Sequence, residues 1–304
     1  GDVVMAAGSA LTLADSRIAN FQTITGADGA TVTADLIVVS DTITPAGGNG
    51  GVLSFTGDLA LGDGANFDWI TVDDSSTDRV AVAGELDLSK AWNLVLSPSS
   101  AVTPDTYELF SYGSLSTGTT LTGNVVDSAS IVPPADNPYS DLINVSLSTV
   151  TDDGGTINLN VIGTAAAIWD GPGLDWSDQT NWLDDPIVPI ATIAAVVDSS
   201  SGGVVATLSA SAEAHTLIID GNGGLATATV ALGGDLTVGN NTHVMTGGVL
   251  NVGGALQSRG DSTVYAGGAM NVSGTLTIND DKNINTAGTT TITGTLSLNA
   301  AAGG

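Results

Sequence analysis

Gly234-Asp235-Leu236-Thr237-Val238-Gly239 opens a phrase that the chain repeats at a fixed step. Gly234, Gly254, Gly274 and Gly294 are each followed two residues on by Leu236, Leu256, Leu276 and Leu296. Leu232, Val252, Val272 and Ile292 precede them by two, and Val244, Val264 and Ile284 keep the same step, as do the Gly247-Gly248 and Gly267-Gly268 pairs. A fixed period of short apolar alternations broken by glycine is the signature of a solenoid whose coils bury one another. The fold expected is all-β: a right-handed parallel β-solenoid with coils of about 20 residues in the C-terminal part. Leu217-Ile218-Ile219 and Leu225 precede Leu236 and Val244 by 19, which reads as one looser introductory turn. The glycines fall where the coil must bend, where positive φ is expected.

Composition agrees with an apolar core built without helices. Of 304 residues, 42% are hydrophobic but only 4% aromatic, and 40 glycines accompany long Ser, Thr, Asn and Asp stretches. Thirty-two acidic residues face only Arg17, Arg79, Lys90, Arg259 and Lys282, giving a net charge of −27. That charge repels nucleic-acid phosphates and anionic lipid, so neither is an expected partner. It suits a solvated acidic surface, or carboxylates that collect Ca²⁺, the one cofactor the sequence leaves open. No cysteine is present, and no apolar run reaches the roughly 18–20 residues that span a membrane, so membrane insertion is not expected. A chain opening at Gly1 reads as a processed, exported protein.

Four regions follow from changes in pattern. Residues 1–51 read as short strands, ending at Pro45-Ala46-Gly47-Gly48-Asn49-Gly50-Gly51. Residues 52–163 repeat the phrase irregularly, as in Gly57-Asp58-Leu59-Ala60-Leu61-Gly62, and read as a distorted solenoid or a β-sandwich. Residues 164–204 form a junction that packs Trp169, Trp176 and Trp182 among Gly, Pro and Asp, and residues 205–304 form the regular solenoid. Close-set tryptophans cover an apolar end or junction, or else form a platform on which sugar rings stack.

Trp169-Asp170-Gly171, Trp176 and Asn181-Trp182 resemble the W-x-G…W…N-W element of autotransporter-associated β-strand repeat proteins and of planctomycete-type exported proteins. The resemblance implies a secreted or surface-anchored bacterial β-solenoid, adhesive or structural, without a known catalytic site.

Chemistry-bearing residues are sparse. Arg259 beside Asp261, and Lys282 beside Asp280 and Asp281, read as solvated ion pairs. His215 and His243 stand apart without a second ligand at metal spacing. Weak Ca²⁺ candidates are Asp73, Asp74 and Asp78 in one turn and Asp280 with Asp281 in another. No catalytic residue is assigned, and no enzyme activity is expected.

The repeat continues through Ile292, Leu296 and Leu298, and strand-like sequence begins at Val3-Val4-Met5 and continues through Leu11 and Leu13. Two different apolar ends on one subunit define a heterologous contact that does not close, and such contacts build filaments. The expected function is therefore a structural subunit of an extracellular bacterial filament or surface fibre, a head-to-tail homopolymer joined through those side chains. The alternative is a carbohydrate-binding surface adhesin using Trp169, Trp176 and Trp182. A polysaccharide-degrading β-helix enzyme comes third.

Overall fold

The computed structural model describes residues 1–13, 18–45, 50–73, 76–97, 102, 104–117, 119, 121–122, 125–126, 129–132, 137–145, 147–169, 173–183, 188–199, 203–279 and 282–299. These residues form strands and short 3₁₀ turns, with no α-helix among them. Parallel strands stack as a β-solenoid of about 11 turns spaced about 22 residues apart. Two compact units divide the chain, Gly1–Gly163 and Thr164–Gly304.

In the unit Thr164–Gly304 three parallel sheets enclose one core. Sheet A stacks Val204–Leu208, Ala228–Leu232, Gly248–Val252, Ala269–Val272 and Thr289–Ile292. Sheet B stacks Ala212–Ala214, Asp235–Val238, Ala255–Ser258, Thr275–Asn279 and Thr295–Asn299. Sheet C runs from Trp182–Leu183 through Ala166–Trp169, Ala194–Asp198, Leu217–Asp220, Thr242–Val244 and Ser262–Val264 to Ile284–Thr286. Each coil visits A, then B, then C. Alternation along each strand aims every second side chain inward, so Leu236, Leu256 and Leu276 form one buried column and Leu232, Val252 and Val272 another.

Register departs from the regular step in two places. Val204 pairs with Ala228 and Leu217 with Thr242, so the introductory coil is wider than its successors, as a looser turn requires, although Leu217 does not take the place of Leu236 that the spacing of 19 suggested. Leu225 lies outside the core, 85% exposed. Farther on, Ser262 pairs with Ile284 and Val264 with Thr286, a step of 22. Ile284 thus sits two residues away from the position that the Val244–Val264 series assigned to it. The spacing from Ile278 to Ile284 is two residues longer than that from Ser258 to Ser262, and the step returns to 20 at Ala269 and Thr289.

Glycine plays two roles at the corners. Gly247 and Gly267 take φ of 79° and 80°, the conformation that a side chain resists. Gly234, Gly254, Gly274 and Gly294 have no such φ. A Cβ on Gly254 would overlap the carbonyl oxygen of Gly234, one on Gly274 that of Gly254, and one on Gly294 that of Gly274. The periodic glycine is thus a column in which each coil's backbone rests on the carbonyl of the coil before it.

The unit Gly1–Gly163 uses the same plan with coils that widen. Val3 pairs with Ile24 (a step of 21), Ala19 with Ile37 (18), Leu36 with Asp58 (22), Asp78 with Gly51 (27) and Val80 with Phe110 (30). Trp92 pairs with Ala129, a wider step still. Strands before and after residue 51 pair directly, as Thr31–Thr33 does with Gly51–Phe55, so residues 1–51 are part of this solenoid and not a separate segment. The region 52–163 continues the parallel stack to Thr106–Leu115, and Ala129–Val132 lies parallel to Trp92–Leu96; the stack then meets a different pairing at Thr106–Leu115. There the pattern turns antiparallel: Thr156–Asn160 pairs with the strand Thr106–Leu115, and Thr149–Asp152 pairs with Thr156–Asn160. This hairpin covers the strand edge. Tyr112 fastens it, its hydroxyl donating to Asp152 and accepting from the Gly155 N–H at 3.0 Å. Burial and the Asp152 carboxylate push the Tyr112 pKa up to about 12.

Candidate functional site

The tryptophans are core, not surface. Trp169 is 2% exposed, Trp176 0% and Trp182 4%. Trp182 stacks edge-on against Trp169 at 5.0 Å and against Trp176 at 4.9 Å, and its Nε1–H donates to the Trp176 carbonyl at 2.9 Å. Chain direction explains the placement. Trp169 ends a strand of sheet C, and Trp182 opens a short strand antiparallel to it. The Trp176 N–H bonds the Thr207 carbonyl at 2.9 Å, and the Leu174 carbonyl accepts from the Thr207 N–H at 2.6 Å, so this segment lies against the first strand of sheet A. The three rings fill the interior where the first regular coil begins. A sugar-stacking platform needs an open indole face, and none of the three has one; the residues Asp170 and Gly171 lie outside the described residues.

The opposite end of that stack differs. Inward columns that are dry in the middle of the unit emerge into solvent at its last described coil. Leu256 and Leu276 are fully buried, whereas Leu296 is 44% exposed; Ile278 is fully buried, whereas Leu298 is 64% exposed. Ile292 continues the Val272 column and is half-buried. Each aliphatic that a further coil would cover amounts to about 1–2 kcal/mol of hydrophobic stabilisation. Polar groups point the same way. The Asn241 side chain accepts the Asp261 N–H at 2.8 Å, and the Asp261 carboxylate accepts the Asn283 N–H at 2.8 Å. This ladder repeats from coil to coil. Asp261, expected beside Arg259 as an ion pair, uses its Oδ1 here.

At the start of the unit Gly1–Gly163, Val3, Leu11 and Leu13 are half-buried and Met5 is buried, all against the core. Val4 departs from the expected interface set: it is 81% exposed because strand alternation turns it away from the side on which Val3 and Met5 sit.

Of the carboxylate candidates only Asp78 has a described side chain. Asp74, Asp280 and Asp281 lie outside the described residues, and the Asp73 side chain is likewise not described. Asp78 lies in the strand Ser76–Asp87, opposite Gly51, at 0% exposure. Neither of its carboxyl oxygens has a hydrogen-bond partner. Burial pushes its pKa up to about 7; the backbone groups of Ile70 and Gly50 oppose that shift, and the Asp68 carboxylate adds to it. Among the described residues no three His, Cys, Asp or Glu side chains gather as a metal site. His215 meets the Thr216 hydroxyl at 3.0 Å, and His243 meets the Tyr265 hydroxyl at 3.3 Å.

Sequence reasoning missed the burial of Asp78. Its strand position could have revealed it, since Asp78, Val80 and Val82 share one face. No family model, curated protein or solved structure matches the chain.

Proposed function

We propose that this chain is the structural subunit of an extracellular bacterial fibre that lengthens by stacking coil on coil. The observation that carries the reading is the burial gradient along one column: Leu256 and Leu276 are dry, and Leu296, at the same register and in the same backbone, is 44% exposed. Leu296 is the outermost described rung of that column.

The occupant we assign is the coil formed by Val3–Met5, Ala10–Thr12 and the start of Ala19–Gly26 in a second copy. Its step to the next coil, from Val3 to Ile24 and from Ala10 to Thr31, falls between two steps of the open stack, Thr275 to Thr295 and Ser262 to Ile284. Coils of matching perimeter can continue three sheets without a break, whereas the wider coils that pair Asp78 with Gly51 and Trp92 with Ala129 cannot. Val3, Met5, Leu11 and Leu13 would lie over Ile292, Leu296 and Leu298. Parallel pairing with two unlike faces gives a heterologous contact, which propagates as a filament. The resemblance of the tryptophan element to surface β-strand repeats supports the extracellular setting. The role is mechanical, and no residue is assigned to catalysis.

Electron microscopy and light scattering of the purified chain test the reading. Filaments or concentration-dependent oligomers are expected, and Leu298→Asp is expected to abolish them while leaving the circular dichroism spectrum unchanged. Monodisperse monomers across the accessible concentrations, with and without Ca²⁺, would refute it.

A further inference from the structure

A chain with a net charge of −27 has one face without charge. The strands of sheet A read VVATL, ATVAL, GVLNV, AMNV and TTTI, with no Asp, Glu, Lys or Arg in any of them. Their outward residues are Thr, Asn, Ala and Val. Beside the glycine corner this face is hollowed into a groove of about 410 Å³ that touches every coil from Thr207 to Thr293. With strands about 4.8 Å apart, the groove extends for about 19 Å along the stacking direction.

The groove follows the corner that precedes the glycine column: Gly233, Gly253, Ser273 and Thr293, each one residue before Gly234, Gly254, Gly274 and Gly294, line it beside the last outward residue of each strand. The same construction occurs independently in the unit Gly1–Gly163. Gly57, Gly84 and Gly113 form a corresponding corner, where a Cβ would overlap Ala34, Asp58 and Ala83 respectively. Beside it lies a second groove of about 470 Å³, lined by Ser54, Thr56, Ala81, Ser111 and Tyr112, again without a charged residue. Both linings mix small hydroxyl residues with apolar ones, the first adding Asn251 and Asn271, and neither carries a charge in a chain with 32 acidic residues.

We propose that these grooves bind a neutral polysaccharide, laid along the stacking direction. Charge selects the class. An anionic polymer is repelled by the chain as a whole, and a cationic one finds no counter-charge in the furrow. An extended peptide held by strand addition needs an unpaired edge, but the groove lies on the face of a sheet whose inner strands are paired on both sides. A polyhydroxylated chain presents hydroxyls together with apolar C–H faces, and the furrow sets Thr and Asn side chains among Ala, Leu, Val and Gly. Asn271 Nδ2 donates to Asn251 Oδ1 at 2.9 Å, which orients both amides and leaves Asn251 Nδ2 and Asn271 Oδ1 for a ligand. Thr207, Thr291 and Thr293 extend the row. Carbohydrate recognition thereby moves from the buried tryptophans to the outside of the coils. The proposal does not depend on fibre formation, since each groove is complete within one unit.

Affinity electrophoresis in native gels tests it, with hydroxyethylcellulose, galactomannan, mixed-linkage β-glucan and dextran cast separately into the gel and polygalacturonate as the anionic control. At least one neutral polymer is expected to retard the chain, and polygalacturonate is not. Asn251→Asp/Asn271→Asp is expected to weaken the retardation about tenfold, and the uncharged Asn271→Ala in the same direction. Thr237→Asp/Thr277→Asp on sheet B carries the same added charge and is expected to leave it unchanged. Each variant's fold is checked by circular dichroism. The inference is overturned if no neutral polymer retards the chain, if neither groove variant weakens the retardation, or if the groove variants instead abolish a lateral self-association.

Discussion

The two ends of the solenoid unit Thr164–Gly304 treat the same problem in opposite ways. Where its regular coils begin, Trp169, Trp176 and Trp182 fill the interior at 0–4% exposure, and a segment of backbone lies against the first strand of sheet A. At its last described coil the columns end in Leu296 and Leu298, which are 44% and 64% exposed. The unit Gly1–Gly163 adds a third solution, an antiparallel hairpin that pairs with the edge of Thr106–Leu115. A solenoid is thus not bound to leave its cross-section bare: this chain closes it once with rings and once with a hairpin.

The largest expected effect lies at the closed end. Trp176→Ala removes a fully buried ring packed on Trp182 and should cost about 3–5 kcal/mol in urea denaturation. Leu298→Ala should cost less than about 1 kcal/mol in the unassembled chain, because most of that side chain is already in water. Equal costs would break the contrast between sealed and open ends.

Sealing also has a titration signature. Asp78 lies inside the unit Gly1–Gly163 with its pKa at about 7 against 3.8 for the free side chain. The folded chain therefore holds a proton that the unfolded chain releases above about pH 4. Stability contributed by this group is full below that pH and is lost as pH rises towards 7, by up to about 4 kcal/mol. The high negative charge acts in the same direction, so the comparison that isolates the group is with Asp78→Asn, whose stability should fall less over that range. Parallel pH profiles for the two proteins would show that the carboxyl is not sealed.

The stacking and its inward columns could be read directly from the sequence, because Leu236, Leu256, Leu276 and Leu296 each occupy one inward place per coil. What could not be read is how a coil absorbs extra residues. The step of 22 between Ser262 and Ile284 comes from two residues added between successive strands, where hydrophobic periodicity carries no information, and counting residues alone placed Ile284 two residues away. The looser first coil was legible but its alignment was not: Leu225 looked like a core residue, but its chain segment is a loop between sheets C and A. Trp169, Trp176 and Trp182 signalled a special site by their spacing. Whether a ring faces water, however, depends on Thr207 in a later strand, and no local pattern contains that pairing. Coil width was also hidden. The wide coils of Gly1–Gly163 hold Phe67, Trp69, Trp92 and Phe110, all buried, where the regular coils of the other unit hold Leu and Val. A longer perimeter encloses more volume, and rings fill it; once the steps are known the aromatics follow, but not the reverse.

The smallest effect gives the sharpest comparison, because it changes one methyl group at two rungs of the same column. Gly274 is held between the coils that contain Gly254 and Gly294, and an added Cβ would overlap the carbonyl oxygens of Gly254 and Gly253. To relieve the overlap the coil would have to rise into the one above it, so Gly274→Ala should cost about 1–3 kcal/mol. Gly294→Ala meets the same obstacle, the Gly274 and Ser273 carbonyls, but its coil has a solvent-facing side and can lift. Its cost in the unassembled chain should be well under that of Gly274→Ala, measured by urea denaturation at low protein concentration. Under assembling conditions the order changes: a coil stacked on Thr289–Ile292 and Thr295–Asn299 removes the freedom to lift, and Gly294→Ala should then weaken association. A Gly294→Ala penalty equal to that of Gly274→Ala in the dilute chain would mean that the last coil is already held from above.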